Sequence, residues 1–331
     1  MHVFCRDALR RIVALVAAAF VVAPLTSQAQ APAAYPNKPI RLVVPYAPGG
    51  FPDTVARIIA QRLQDRVGQT VVVDNRPGAN GGVAAGVLTS APADGYQFMV
   101  TDGSMFSINP KLYTKLTYDP VKDFVPVALV ARAALFMAVH PKLPASTLKE
   151  FLDYVKANPG KVNYGSSGIG STHHLTVEAM KTSLGLDMVH VPFKGTGQSV
   201  PALVGGQVEM LYSAYPSLIG FVKDGRVKLL ATNAAQRSSL APDLPAISEL
   251  VPGFDFAPIV GVLATAGTPK AVIDKISTEV VAITKMPEVL QAFASAGIDS
   301  VGAGSEAYAK AIADENARMA KAIEAVGLKP E

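Results

Sequence analysis

Few residue groups in this chain are spaced for covalent chemistry. His173 and His174 are adjacent, which on a helix turns them about 100° apart and makes a poor metal pair. No H-E-x-x-H is present. Around Ser167 the run Gly165-Ser166-Ser167-Gly168-Ile169 lacks the last glycine of the hydrolase elbow G-x-S-x-G. Ser146 and Lys149 fit S-x-x-K, but the S-D-N and K-T-G elements that make such a serine acylating are missing. Helix capping explains Ser146 better. No glycine-rich loop ends in Gly-Lys-Ser/Thr, which argues against nucleotide hydrolysis. A secreted hydrolase or isomerase using Asp53 and His173 stays as a rival reading. Neither a cofactor nor a metal is expected.

The sequence offers instead a set of loops rich in glycine and hydroxyls, each between an apolar run and an amphipathic one. Pro45-Tyr46-Ala47-Pro48-Gly49-Gly50-Phe51-Pro52-Asp53 is the first. Its glycines let backbone approach a ligand closely, and its prolines stiffen the turn. A helix beginning near Asp53 would aim free amides and the positive end of its dipole at the same spot, attracting an anion without Lys or Arg. A side chain at Gly50 would stand in that space or forbid the backbone angles. Thr101-Asp102-Gly103-Ser104 is the second loop, Tyr164 to His173 the third, and Val191-Pro192-Phe193-Lys194-Gly195 the fourth. Each has a bland alternative: Asp53 as a cap, His174 and His190 as packed or surface groups, Glu178 and Lys181 as a solvated pair.

The elements that must position these loops alternate. IRLVV (40–44) reads as a buried strand and TVARIIAQRLQDRVG as a helix with Val55, Ile58, Ile59 and Leu63 on one face and Gly68 as its stop. TVVVDN and YQFMVTDG are further strands, separated by the small-residue helix GVAAGVLTSA. A second set follows, with helices capped at Ser146 or Thr147, spanning 172–184, and closing the chain over 269–285 and 305–326. Such repetition implies an α/β fold with parallel-dominated sheets flanked by helices. Two long apolar runs, 125–141 and 256–269, suit strands that cross between lobes. The expected lobes are 30–133 plus 258–331, and 134–257. The cleft between them, outside the carboxyl ends of the strands, is the default ligand site.

Composition sets the compartment. Arg6, Arg10 and Arg11 precede the apolar run IVALVAAAFVVAPL, and Ser27 and Ala29 supply small residues at −3 and −1, so residues 1–29 read as a secretory leader cut before Gln30. With Asp7 they carry off two positive charges, lowering the formal net charge from +4 to +2 and making nucleic acid an unsuitable partner. Cys5, the one cysteine, leaves with them, so disulfide and thiolate chemistry are excluded from the mature protein. The mature chain is expected in an extracytoplasmic, periplasmic compartment as a monomer.

PYAPGG-x-x-D, DNRPGANGG, YGSSGIGSTHHL, HVPFKG and ATAGTP occur in this order, and together they resemble the substrate-binding proteins of tripartite tricarboxylate transporters, the Bug family. The resemblance spans essentially the whole mature chain. It implies a two-lobed type II "Venus flytrap" of the periplasmic-binding-protein class, closing on a mono-, di- or aromatic carboxylate and delivering it to a permease of large and small membrane subunits. It further implies that the loops matching Tyr46–Asp53 and Ser166–His173 hold the carboxylate through amides, hydroxyls and waters. The ligand residues expected on these grounds are Tyr46, Pro48, Gly49, Gly50, Phe51 and Asp53, then Ser104, and Ser166, Ser167, Gly168, Thr172 and His173. Tyr215 joins them as a neighbour, with Phe51, for an apolar or aromatic ligand body. Family members often carry a tryptophan where this chain reads Pro258-Ile259-Val260-Gly261, and it has none. A sensory co-receptor presenting its ligand to a histidine-kinase ectodomain is the remaining alternative.

Magnitudes favour two jaws over one. Charge-assisted hydrogen bonds contribute about 1.5–3 kcal/mol each. Three or four from a single loop scarcely offset the roughly 4–15 kcal/mol cost of association.

Overall fold

In the computed structural model, residues 35–330 are described; the expected leader and Cys5 lie outside them. Residues 38–330 belong to one unit that carries every element below. IRLVV forms β1 (Ile40–Val44) and VVVDN forms β2 (Val71–Asn75). Between them α1 (Phe51–Val67) buries Val55, Ile59 and Leu63 and ends at Gly68, whose φ of 68° is the left-handed cap that glycine supplies most cheaply. Burying such side chains contributes about 1.5–3 kcal/mol each. Then follow α2 (Gly82–Thr89), β3 (Gln97–Asp102) and the single turns α3 (Ser104–Ser107) and α4 (Asn109–Leu112).

The first long apolar run is two strands, β4 (Phe124–Arg132) and β5 (Leu135–Val139), which join different sheets. The second lobe continues with α5 (Leu148–Ala157), β6 (Asn163–Ser166), α6 (Thr172–Leu184), β7 (Val189–Pro192), α7 (Thr196–Val204), β8 (Met210–Ala214), α8 (Tyr215–Lys223) and β9 (Lys228–Thr232). The chain then returns through β10 (Ile259–Thr265), α9 (Lys270–Ile283), α10 (Pro287–Ser295), β11 (Asp299–Gly304) and α11 (Ser305–Val326). Thr147 takes the cap of α5, its hydroxyl accepting from the Glu150 amide.

The fold is α/β and two-lobed, with sheet orders β11-β4-β10-β3-β1-β2 and β7-β6-β8-β5-β9. The sheets are mixed, which corrects the parallel-dominated expectation. Between the named strands, parallel pairing joins β1 with β2 and β3, and β6 with β7 and β8. The strands that pass between lobes enter antiparallel: β10 pairs so with β3 and β4, and β5 with β8 and β9. A strand arriving from the other lobe has no crossover helix to reverse its direction, so antiparallel pairing is open to it.

The two crossing segments are tied together. Ala133 N–H donates to Pro258 O at 3.0 Å. Asn233, fully buried, accepts from Leu135 N–H at 2.8 Å and donates to Phe256 O at 2.8 Å through its side chain. Helix α11 spans both lobes: Tyr308 packs in the core of the first, with Val43, Met99 and Phe106, and Met319 and Ile323 in the core of the second, with Phe151 and Tyr212. Tyr308 lies so close to Gly261 of β10 that a β-carbon there would collide with its ring.

Candidate functional site

The loop after β1 is held from behind. Asp53, 2% exposed, accepts from the Gly49 amide at 2.8 Å, Arg57 Nε at 2.9 Å and Asn75 Nδ2 at 2.8 Å. Asn75 Nδ2 also donates to Tyr46 O at 3.0 Å. Burial alone would raise the Asp53 carboxyl, but these bonds outweigh it and hold it below its ordinary value. With Gly49 so engaged, the amides of Gly50 and Phe51 at the start of α1 have no acceptor among the described residues. Gly49 adopts φ 88°, a left-handed angle, whereas Gly50 is extended at φ −74°. A β-carbon on Gly50 would meet nothing nearer than Ala47 O at 3.6 Å. The expectation that a side chain at Gly50 is forbidden by its angles is thereby corrected: Gly49 carries the conformational demand.

The loop after β6 repeats the construction. Ser166 Oγ accepts from Gly168 N–H at 3.0 Å, and Gly170 N–H donates to His174 Nδ1 at 3.1 Å. Ser171 caps α6 by accepting from His174 N–H at 3.2 Å. The next amides, of Thr172 and His173, have no acceptor among the described residues. Behind the loop, Tyr164, His190 and His174 stack, with ring centroids 4.9 and 4.0 Å apart in that order, and His190 Nε2 meets Ser166 Oγ at 2.6 Å. Burial, then the neighbouring His174, pushes His190 down to about 4, so both histidines serve as packed supports.

These two loops face one cavity of about 640 Å³. Tyr46, Gly49, Gly50, Phe51 and Ser104 line it from the first lobe, and Ser167, Thr172 and His173 from the second. Pro48, Asp53, Ser166, Gly168 and Tyr215 lie outside its lining. Pro48 is exposed, and Asp53, Ser166 and Gly168 hold the loops from within. Tyr215 turns its ring against Phe136 at 5.1 Å instead of toward the cavity.

Sequence reasoning missed Asp102, Asn109, Leu112, Tyr113, Ser213 and Ser217, all in the lining. A usable signal existed, since Asp102 and Ser213 stand at or beside the carboxyl ends of β3 and β8. Ser213 is fully buried and its hydroxyl has no partner among the described residues. Asp102 Oδ1 accepts from Tyr46 Oη at 2.8 Å, Ser104 N–H at 3.0 Å and Ser104 Oγ at 2.5 Å. Burial raises its carboxyl against these donors, and burial together with Asp102 raises the Tyr46 phenol well above its usual value. His173 is enclosed by protein on most sides, and its desolvation lowers it to about 4. It is neutral at neutral pH, with Nδ1 3.1 Å from Ser167 Oγ. Among the described residues, no Lys or Arg lines the cavity. An anion there would be held by amides, hydroxyls and a neutral imidazole.

That arrangement coincides with a match over residues 55–328 to the tripartite tricarboxylate transporter family receptor. The chain belongs to this family. It is 32% identical to Protein BugT of Bordetella pertussis over 316 residues, 95% of each chain. Among solved structures, the R. palustris protein Rpa4515 with adipate superposes at a TM-score of 0.77 with 32% identity, covering 90% of this chain and all of that one. The periplasmic binding protein BugD superposes at 0.73 with 30% identity, covering 90% and 100%. MatC of Rhodopseudomonas palustris with bound malate superposes at 0.71 with 29% identity, covering 87% and 100%. Family and structural relatives are solute-binding receptors, not enzymes.

Proposed function

We propose that this receptor works in the periplasm, trapping a small carboxylate between its lobes and handing it to the membrane permease of a tripartite tricarboxylate-type transporter. The observation that carries the reading is the pair of helix N-termini, α1 and α6, with unpartnered amides on opposite walls of one cavity that no cationic side chain enters. Helix N-termini favour anions through their free N–H groups and dipole. Ser213, whose buried hydroxyl has no partner among the described residues, belongs to the same lining. The adipate and malate bound by relatives support the ligand class.

The lobes are taken as 30–133 with 258–331, and 134–257; support comes from β4 and β5 joining different sheets and from the bond between Ala133 and Pro258 at the crossing. Leader removal after Ala29 belongs to the same reading, and an intact mass beginning at Gln30 checks it. Of the thirteen residues expected at the ligand, those in the cavity lining are assigned to contact, and Asp53, Ser166 and Gly168 to holding the loops.

Native mass spectrometry of gently purified protein, followed by thermal-shift titration with adipate, malate and benzoate, tests the function. At least one carboxylate should raise the melting temperature and be recovered unchanged. Failure of every carboxylate to bind, or its chemical conversion, would overturn the reading.

A further inference from the structure

The cavity is electrically lopsided. The amides of Gly50, Phe51, Thr172 and His173 present partial positive charge at two helix N-termini. The turn from Asp102 to Ser104 presents the reverse. Asp102 lines the cavity; the buried Glu315 packed behind it against Gly103 keeps its proton at neutral pH and adds no charge of its own. Ser107 Oγ meets Glu315 at 3.2 Å, while no Lys or Arg in the lining offsets Asp102. Tyr46 and Ser104 are already committed as donors to Asp102 Oδ1. A carboxylate is an acceptor only. The group placed against it must donate, and a second anion there would meet like charge in a site of restricted solvent.

Resting on the receptor reading above, the geometry points to a ligand that carries one carboxylate for the amide jaws and a separate hydroxyl or ammonium for Asp102, with dicarboxylates disfavoured. Asp102 is then the residue that determines specificity. The competing account is local: Asp102 accepts the amide of the residue two ahead, Ser104, as aspartates do in Asx turns. Asparagine makes the same turn, so Asp102→Asn separates the accounts while keeping the backbone.

The experiment is calorimetric titration at neutral pH of the mature protein with butyrate, its α-, β- and γ-hydroxy and amino derivatives, and succinate. The best donor-bearing acid should bind wild type at least about tenfold tighter than butyrate or succinate, equivalent to about 1.4 kcal/mol. In Asp102→Asn that margin should shrink about tenfold for the ammonium ligands, and succinate should gain. The relative strength of hydroxy and amino acids in wild type identifies the donor. Butyrate or succinate binding wild type as tightly as any derivative would overturn the inference while leaving the carboxylate receptor standing, and this arm needs no variant. An unchanged order in a folded Asp102→Asn protein would assign Asp102 to the turn alone. If no acid of any class binds, the receptor reading fails, and this one with it.

Discussion

The Gly49 amide and the Asp53 carboxylate meet at 2.8 Å, four residues apart, so the acid in the first loop is spent on the loop. Arg57 and Asn75 complete its partners. Asp53→Ala removes the acceptor that Gly49, Arg57 and Asn75 share, and stability should fall by about 1–3 kcal/mol. Because these bonds depress its pKa in the folded protein, Asp53 contributes stability above the ordinary carboxylate range, lost as pH falls through the folded value. The variant should have a flatter acid limb in melts across pH, and weaker ligand binding from a loosened loop. An unaltered acid limb would contradict this role.

Gly49 and Gly50 should separate by substitution. Gly50 has φ −74° and room for a β-carbon, so Gly50→Val should melt near wild type. Its side chain would stand at the amides facing the cavity, and affinity should drop by at least about two orders of magnitude, roughly 2.8 kcal/mol. Gly49→Ala forces a side chain into φ 88° and should cost about 1–2 kcal/mol of stability. Thermal melts and calorimetry on the same preparations give both numbers. Wild-type affinity in Gly50→Val would remove the first jaw from the site.

Ser213 offers a prediction with opposite signs. Its buried hydroxyl has no partner among the described residues, and such a group costs about 1–3 kcal/mol. Ser213→Ala should raise the ligand-free melting temperature and weaken binding about tenfold, through loss of a donor at the cavity wall. A lower melting temperature, or affinity unmoved, would show that the hydroxyl is satisfied elsewhere.

What the sequence made legible was local. Apolar periodicity marked α1 and α6, and glycine with hydroxyl clusters marked the loops after β1 and β6. What it hid was set by partners distant in the chain. β11, DSVGAG, has glycines that give little strand propensity, and it becomes a strand by pairing with β4. α10 begins at Pro287, just past the expected end of α9, and no helix was expected there. Tyr215 resembles a ligand aromatic until Phe136 claims its ring. Asp102 is marked by its place at the end of β3, but its partner Tyr46, 56 positions away, is visible only in the fold.

Glu315 makes the site's surroundings sensitive to pH. It is 5% exposed, and one of its oxygens has no partner. Burial, and then the charge of Asp102, pushes it up to about 8, against about 4.3 for a free glutamate. Below the ordinary range it is protonated in folded and unfolded chains alike and takes nothing from stability. Between that range and about 8 the unfolded chain releases a proton that the folded one retains, so its contribution falls as pH rises and levels off above. Glu315→Gln keeps the shape and the contact with Ser107 without the titration. The stability advantage of the variant should therefore grow from pH 5 to 8, by on the order of a few kcal/mol at most. Denaturant titrations at intervals across that range measure the gap directly. A constant difference between variant and wild type would mean that Glu315 ionises freely in the folded protein, with solvent or Arg318 supplying what burial withholds.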